Sequence, residues 1–500
     1  MQKHFSKIAN PPSKKLKVVM FAAFAALLLM SVHPAAAQTE SVLYSFTGTP
    51  DGQTPTSRLT LHNGSFYGTT HDGGAYGQGS VFQLSPNGTG GWKETTIYSF
   101  CPGGAACVDG ANPYYSYLTF DSAGNMYGTA FNGGTLGNGV VFELSPSGSG
   151  WVQTVLHNFA NSPDGANPMN GLIMDSAGNL YGATYAGGAA GGNGSIFELS
   201  KTGGVWTETP LYSINSNGSG LIFDSTGNIY GTSYNTVFEL ASNGQGGYIF
   251  HTLFTFNPAK AATQGSNPMG TLAFDSAGRL WGTTEAGGAN NDGVVYRLTK
   301  GTNGWTQTVL GSFNQTYGTN PIAGLVFDPA GNMFGTTQIG GAYGAGTVYE
   351  ISPKGKTYAP RIVFRFNGTD GGGIVAPVIL DSAGYLYGTS YTGGTVGAGT
   401  VFAVNPHPSL TTTTVTSSQN PSTFGQAVTF TATVTSTGGT PADGDIVVFE
   451  PIGQAPIVNG VATYTYAGLK IGTTKITAVF EGDLDFVKSK SNPLSQVVQP

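Results

Sequence analysis

The chain repeats itself, and the period limits what it can fold into. The phrase L-x-F-D-S-A-G-N-x-Y-G-T recurs with its central aromatic at Tyr67, Tyr127, Tyr181, Tyr230, Trp281, Phe334 and Tyr387, at spacings of 60, 54, 49, 51, 53 and 53 residues. A period near 50 is that of a propeller, a solenoid or an array, in which one unit cannot bury its apolar face alone. Each unit holds four strand-like segments. In the second these are 118–121, 126–130, 140–145 and 151–159, cut by the turn Ser122-Ala123-Gly124-Asn125 and a glycine-rich loop. Runs of Val, Ile, Thr, Tyr and Phe between Gly, Asn, Ser and Asp turns are the β signature. Composition agrees: aromatics are 12% and charged residues only 9%, against roughly 25% charged in ordinary domains. With 78 Gly and 27 Pro, this describes neither a helical protein nor a charged disordered chain. A net charge of −6 leaves no nucleic-acid footprint.

Four strands per unit make a propeller blade. The strand count predicts closure. The fourth strand occurs seven times, but one copy, Val42-Leu43-Tyr44-Ser45-Phe46, precedes the first unit, and the last unit stops at its third strand, 400–404. The N-terminal strand therefore completes the last blade. The expected fold is all-β: a closed seven-bladed β-propeller over 38–405, a linker at 406–409 and an Ig-like β-sandwich over 410–500. Closure removes exposed sheet edges. In the last segment Thr and Val dominate, and short strands over about 90 residues fit an Ig-like sandwich.

These units resemble GloVer-type tandem repeats of exported bacterial proteins. They are also similar to propeller repeats of two-component sensors and to NHL-type blades, which share the D-x-x-G-N-x-Y core. The resemblance covers about residues 41–405 and implies export and a propeller-like fold, with no activity attached. The last segment resembles bacterial Ig-like repeat domains through N-P-S-T-F-G-Q-A-V-T-F-T-A-T-V and A-V-F-E-G-D-L-D-F. Such modules usually serve as spacers or adhesive stalks.

The N-terminus reads as a secretory signal peptide over 1–37. Lys3, Lys7, Lys14, Lys15 and Lys17 precede an apolar run at 18–32, and Ala35-Ala36-Ala37 offers the cleavage site. No later stretch is long and apolar enough to span a bilayer. The mature chain is expected to be secreted, outside the cell or in the periplasm of a bacterium. Cys101 and Cys107, the only cysteines, flank C-P-G-G-A-A-C and are expected to form a disulfide in that compartment. Closing so short a loop stabilises by roughly 2 kcal/mol.

Seven copies in one chain act as an internal alignment. Asp121, Asp175, Asp224, Asp275, Asp328 and Asp381 end the first strand of six units, with His62 in the other. Asp before S-A-G-N is turn chemistry, so this ring reads as structural. The loops between second and third strands, and those such as D-G-A-N-P that enter each unit, share the face on which propellers usually bind ligands. The residue two before the Gly pair varies: His71, Phe131, Tyr185, Glu285, Gln338 and Tyr391, with Tyr234 at the matching place in the fourth unit. Aromatic faces beside polar groups suit sugar rings. Packing between neighbouring loops is the other reading of the same residues. The fourth unit lacks the glycine-rich loop, which predicts a notch in the rim near Tyr234.

No constellation fixes a catalytic site. The mature histidines His62, His71, His157, His251 and His407 include no pair at metal-ligand spacing, and no G-x-S-x-G elbow exists. The carboxylates of the Asp-Gly loops are single and repeated around the ring, which does not favour calcium. No metal and no cofactor are expected. The leading reading is an exported, non-enzymatic binding or cell-surface interaction protein whose partner is a polysaccharide or another surface component. One alternative is a carbohydrate-active lyase or hydrolase at the channel mouth, with His71 and Glu285 as acid and base if both point inward. Another is a structural surface spacer without a specific ligand.

Overall fold

The computed structural model describes residues 40–500 except 105, 149, 190–192, 216–219, 355–356, 442 and 484. The expected signal segment 1–37 lies outside the described residues. Among them, no helix is long and apolar enough to cross a membrane.

The fold is all-β and propeller-like. Seven four-stranded antiparallel sheets follow one another along the chain. The second sheet is typical, with strands Thr119–Phe120, Met126–Ala130, Val140–Ser147 and Gly150–Asn158. The seventh takes three strands from Ile379–Leu380, Leu386–Ser390 and Thr400–Val404, and its fourth is the N-terminal Glu40–Ser45, paired with Thr400–Val404.

Buried side chains between successive sheets hold them together. Phe142 and Leu144 of the second sheet pack with Tyr67 and Val81 of the first. Phe46, beside the N-terminal strand, packs with Phe66 and Phe82 of the first sheet and Val401 of the seventh. The Y-G-T phrase has a packing reason. A Cβ at Gly182 would lie 2.5 Å from Phe197 Cζ, so only glycine lets the ring lie across the second strand. Gly128 stands in the same relation to Phe142. The aspartate turns are structural: Asp121 Oδ1 accepts the N–H of Ala123 and of Asn125, each at 2.9 Å, and Oδ2 accepts Tyr127 Oη at 3.0 Å.

The C-terminal segment forms a three-stranded sheet and a larger sheet over one core. Strand Val428–Ser436 alternates Val428, Phe430, Ala432 and Val434 inward, against Phe449, Ile476 and Phe480. The Cys101–Cys107 disulfide is present. One short element escaped the sequence reading: a turn of 3₁₀ helix Pro258–Lys260 runs into Ala261–Gln264. Asn257 starts it by accepting the N–H of Ala259 at 3.0 Å, with Pro258 at the first helical position.

Two substitutions test this packing. Tyr296 and Tyr349 stand where other sheets bury Phe142 or Phe197, and their hydroxyls are buried without a partner. Tyr296→Phe is expected to raise unfolding stability in urea by about 1 kcal/mol, because a desolvated hydroxyl is removed. Gly182→Ala is expected to lower it by about 1–3 kcal/mol. Gly311→Ala, where a Cβ meets nothing within 4 Å, is expected to change it by no more than about 0.5 kcal/mol.

Candidate functional site

The loops on one face are tied together through a repeated backbone device. Thr54, Asn112, Asn167, Asn267 and Asn320 all lie in the left-handed region, with φ between 52° and 58°. Asparagine tolerates that region better than most residues, which explains the recurring N-P. The carbonyls of four of them take the N–H of a variable residue on their own sheet: His71 at 3.1 Å, Phe131 at 3.3 Å, Glu285 at 2.9 Å and Gln338 at 3.1 Å. Tyr234 donates likewise to Asn215 at 2.9 Å. The side chains reach the preceding sheet. Asn112 Nδ2 donates to the carbonyl of His71 at 3.1 Å, and Asn167 Nδ2 to that of Phe131 at 3.0 Å.

This framework brings some of the expected site residues together. His71 meets Tyr114 edge-on at 5.1 Å, Tyr114 meets Phe131 at 5.8 Å, and Phe131 meets Tyr185 at 6.4 Å between centroids. These rings form a continuous arc over three sheets. Tyr391 lies over Gly373, where a Cβ would fall 2.1 Å from its ring. Tyr234 is 59% exposed and joins no ring contact among the described residues. Gln338 shares only the backbone device. His71 and Glu285 make no contact with each other. His71 Nδ1 lies 2.9 Å from Asp72, and Glu285 accepts a hydrogen bond from Asn267 Nδ2.

Two further sets of groups went unread in the sequence. The loop tips carry exposed apolar side chains, Tyr76, Leu136, Tyr343 and Val396, each more than half exposed. Beneath the loops, the inner ends of six sheets line a recess that includes Arg58, Tyr115, Tyr117, Asn170, Met269, Ile322 and Val375. Arg58 lies over the Tyr117 ring at 4.3 Å. Arg58 Nε and Asn170 Nδ2 are buried without hydrogen-bond partners. Arg58 was recoverable from the internal alignment. The position before the recurrent Leu or Val reads Arg58, Tyr117, Gly171, Gly220, Thr271, Gly324 and Pro377, so one unit alone places a charge there.

His157, Asp164 and Glu208 bring ligand-type atoms within 4.8 Å of one another. The same places elsewhere hold Tyr44, Asp51 and Glu94, and Tyr44 Oη donates to Asp51 at 2.7 Å. Asp51 also accepts the N–H of Thr47 at 3.0 Å, as Asp164 accepts that of Ala160 at 2.5 Å. The trio is therefore one version of a recurrent loop clasp.

Residues 90–235 and 232–447 match the Gloeobacter/Verrucomicrobia repeat. The chain belongs to this repeat family. Residues 415–499 match the bacterial Ig-like domain of group 3. The second repeat match overlaps that domain, although strand pairing within the sheets of the repeats ends at Val404. Among curated proteins, none matches the chain. Similar solved structures include the extracellular domain of BT3049, assigned to a hybrid two component system, from B. thetaiotaomicron, at 12% identity and TM-score 0.45. That match covers 93% of this chain but only 58% of the other. Virginiamycin B lyase from Staphylococcus aureus is similar at 15% identity and TM-score 0.46, over 73% of this chain and 98% of that one. The gluconolactonase XC5397 from Xanthomonas campestris matches at 13% identity and TM-score 0.37, over 75% and 93%.

The clasps of the repeat-family chain carry a pH signature. Burial pushes the Glu94 carboxyl from 4.5 up to about 7, opposed by the Thr96 hydrogen bond and aided by the field of Asp51. Burial and the neighbouring Asp164 also raise Glu208. A carboxyl raised in the folded state holds its proton there longer than in the unfolded chain. Its contribution to stability is complete below its ordinary value and is lost as pH rises through the folded one. Melting temperature is therefore expected to fall between about pH 5 and about pH 8. The double variant Glu94→Gln/Glu208→Gln should flatten that fall in a calorimetric series.

Proposed function

We propose that the protein is a secreted, non-enzymatic surface-binding protein. On this reading residues 38–405 form a closed seven-bladed propeller, 406–409 link it to an Ig-like sandwich over 410–500, and the loop face of the propeller binds glycan. The observation that carries this is the arc His71–Tyr114–Phe131–Tyr185, together with the exposed apolar loop tips on the same face. Aromatic rings that meet edge-on or tilted can present surface to sugar C–H groups, while His71, Glu285 and Gln338 offer polar atoms at the rim. Tyr234 and Tyr391 extend the aromatic surface to other sheets. Apolar patches rimmed by polar groups are typical of interaction surfaces. The Ig-like domain holds the propeller away from its attachment point. It is itself docked: Asn405 Nδ2 donates to Asp485 at 3.3 Å, and Arg361 donates to the Pro406 carbonyl at 2.8 Å.

The test is a polysaccharide and glycan array with the chain from residue 38 onward. The expected result is specific binding that falls about tenfold or more in Tyr185→Ala/Tyr391→Ala, the scale of one or two lost aromatic contacts. Binding unchanged in that variant, or none above background, would contradict the proposal. Cleavage of a bound glycan, abolished by Glu285→Gln, would replace it with an enzyme.

A further inference from the structure

The recess under the loop face carries an unpaired positive charge. Arg58 makes no ion pair among the described residues, where the recorded pairs involve His71, His157, Arg279, Arg361, Lys488 and Lys490. Its guanidinium carbon lies 4.3 Å from the centre of the Tyr117 ring, a cation–π contact that helps to hold the head group in the recess. Its Nε is buried without a hydrogen-bond partner, and a buried donor left unpaired costs free energy. A second orphan lines the same recess. Asn170 Nδ2 is also buried without a partner, and Asn170 sits at φ 67°, a conformation most residues avoid. The first and third sheets thus place donors around one recess that have no hydrogen-bond partner among the described residues.

We propose that the recess binds the carboxylate of a sugar acid. A carboxylate matches the guanidinium fork with two parallel hydrogen bonds and can take a third from Asn170. The walls suit the rest of such a molecule. Tyr115 presents a ring, and Met269, Ile322 and Val375 present apolar surface. Tyr115 joins the recess to the loop face, since its ring is tilted against Tyr114 of the aromatic arc with 4.3 Å between centroids. Glu285 is the opposing charge. It is tied to Asn267, and its field reaches Tyr115. Removing it should therefore strengthen anion binding. The choice of a sugar rests on the loop face as a glycan site; the preference for an anion rests on Arg58 and Asn170 alone.

Titration calorimetry of the chain from residue 38 would use glucuronate, glucose, sulfate and an oligogalacturonide. Glucuronate should bind and glucose should bind about tenfold or more weakly, the difference a charged hydrogen bond carries. Arg58→Gln should lose the preference, Arg58→Lys should keep part of it, and Asn170→Gly should weaken it without forcing the backbone. Glu285→Gln should tighten it. Unchanged melting temperatures in Arg58→Lys and Asn170→Gly separate lost contacts from misfolding. An oligogalacturonide that binds more tightly than glucuronate assigns a polymer chain, and equal binding assigns a free sugar acid. Glucose or sulfate binding as tightly as glucuronate would overturn the proposal, as would Arg58→Gln within about twofold of the parent. Uronate binding lost in Arg58→Gln but kept in Tyr185→Ala/Tyr391→Ala would uphold the recess and fail the loop arc. The reverse pattern would fail the recess and leave the arc standing.

Discussion

The seam between neighbouring sheets is the interaction on which the molecule depends. At four seams the threonine of Y-G-T reaches across. Thr69 Oγ1 donates to the Ser116 carbonyl at 2.9 Å, Thr283 to Ala323 at 3.0 Å, and Thr336 to Ala376 at 3.3 Å. Thr389 of the seventh sheet makes the same bond to Ser57 of the first, at 2.9 Å and 332 residues away in sequence. On the loop face a second bond runs parallel to it: Asn112 N–H donates to Gln78 at 2.8 Å, and Thr54 N–H to Ala398 at 2.9 Å. Proline completes the fit, since a Cβ at Gly79 would strike Pro113 and one at Gly399 would strike Pro55. The seam is therefore polar at the inner strand, aromatic in the middle and closely packed at the loops.

A seam built largely from backbone and recurrent small residues leaves other positions free. The residue whose N–H enters the clasp can be His71, Phe131, Glu285 or Gln338, because only its backbone is used. The position before the recurrent Leu or Val is also variable, and five of its seven residues, Arg58, Tyr117, Thr271, Gly324 and Pro377, line the recess. Variation thus collects on one face and in one recess without cost to the sheets. That is how a repetitive scaffold can carry a site made of unlike parts.

Much of the fold was legible in the sequence because the repeat is local and strong. Turn chemistry at Asp121 and its counterparts, the strand segments and the Cys101–Cys107 pair are all short-range features. The site was legible only in part. The variable residue before each Gly pair could be found by alignment of the units, and the arc of His71, Phe131 and Tyr185 follows from it. Tyr114, which joins His71 to Phe131, could not, because it lies in an entry loop and its neighbours are set by packing between sheets. Arg58 was visible as an odd charge, but its isolation depends on what the other inner strands do not supply. The helical turn at 258–264 was hidden because N-P there reads as a loop signal until Asn257 is seen to cap it.

Amide hydrogen exchange, with and without a saturating acidic oligosaccharide, tests the central claim that ligands enter through the loop face. The account predicts slowed exchange at 54–58, 112–117, 131–134 and 185–188. The outer strands Trp92–Ser99 and Val205–Ile214 and the C-terminal sheets should not change. Protection on the outer strands or the Ig-like domain, with the loop face unaffected, would contradict it.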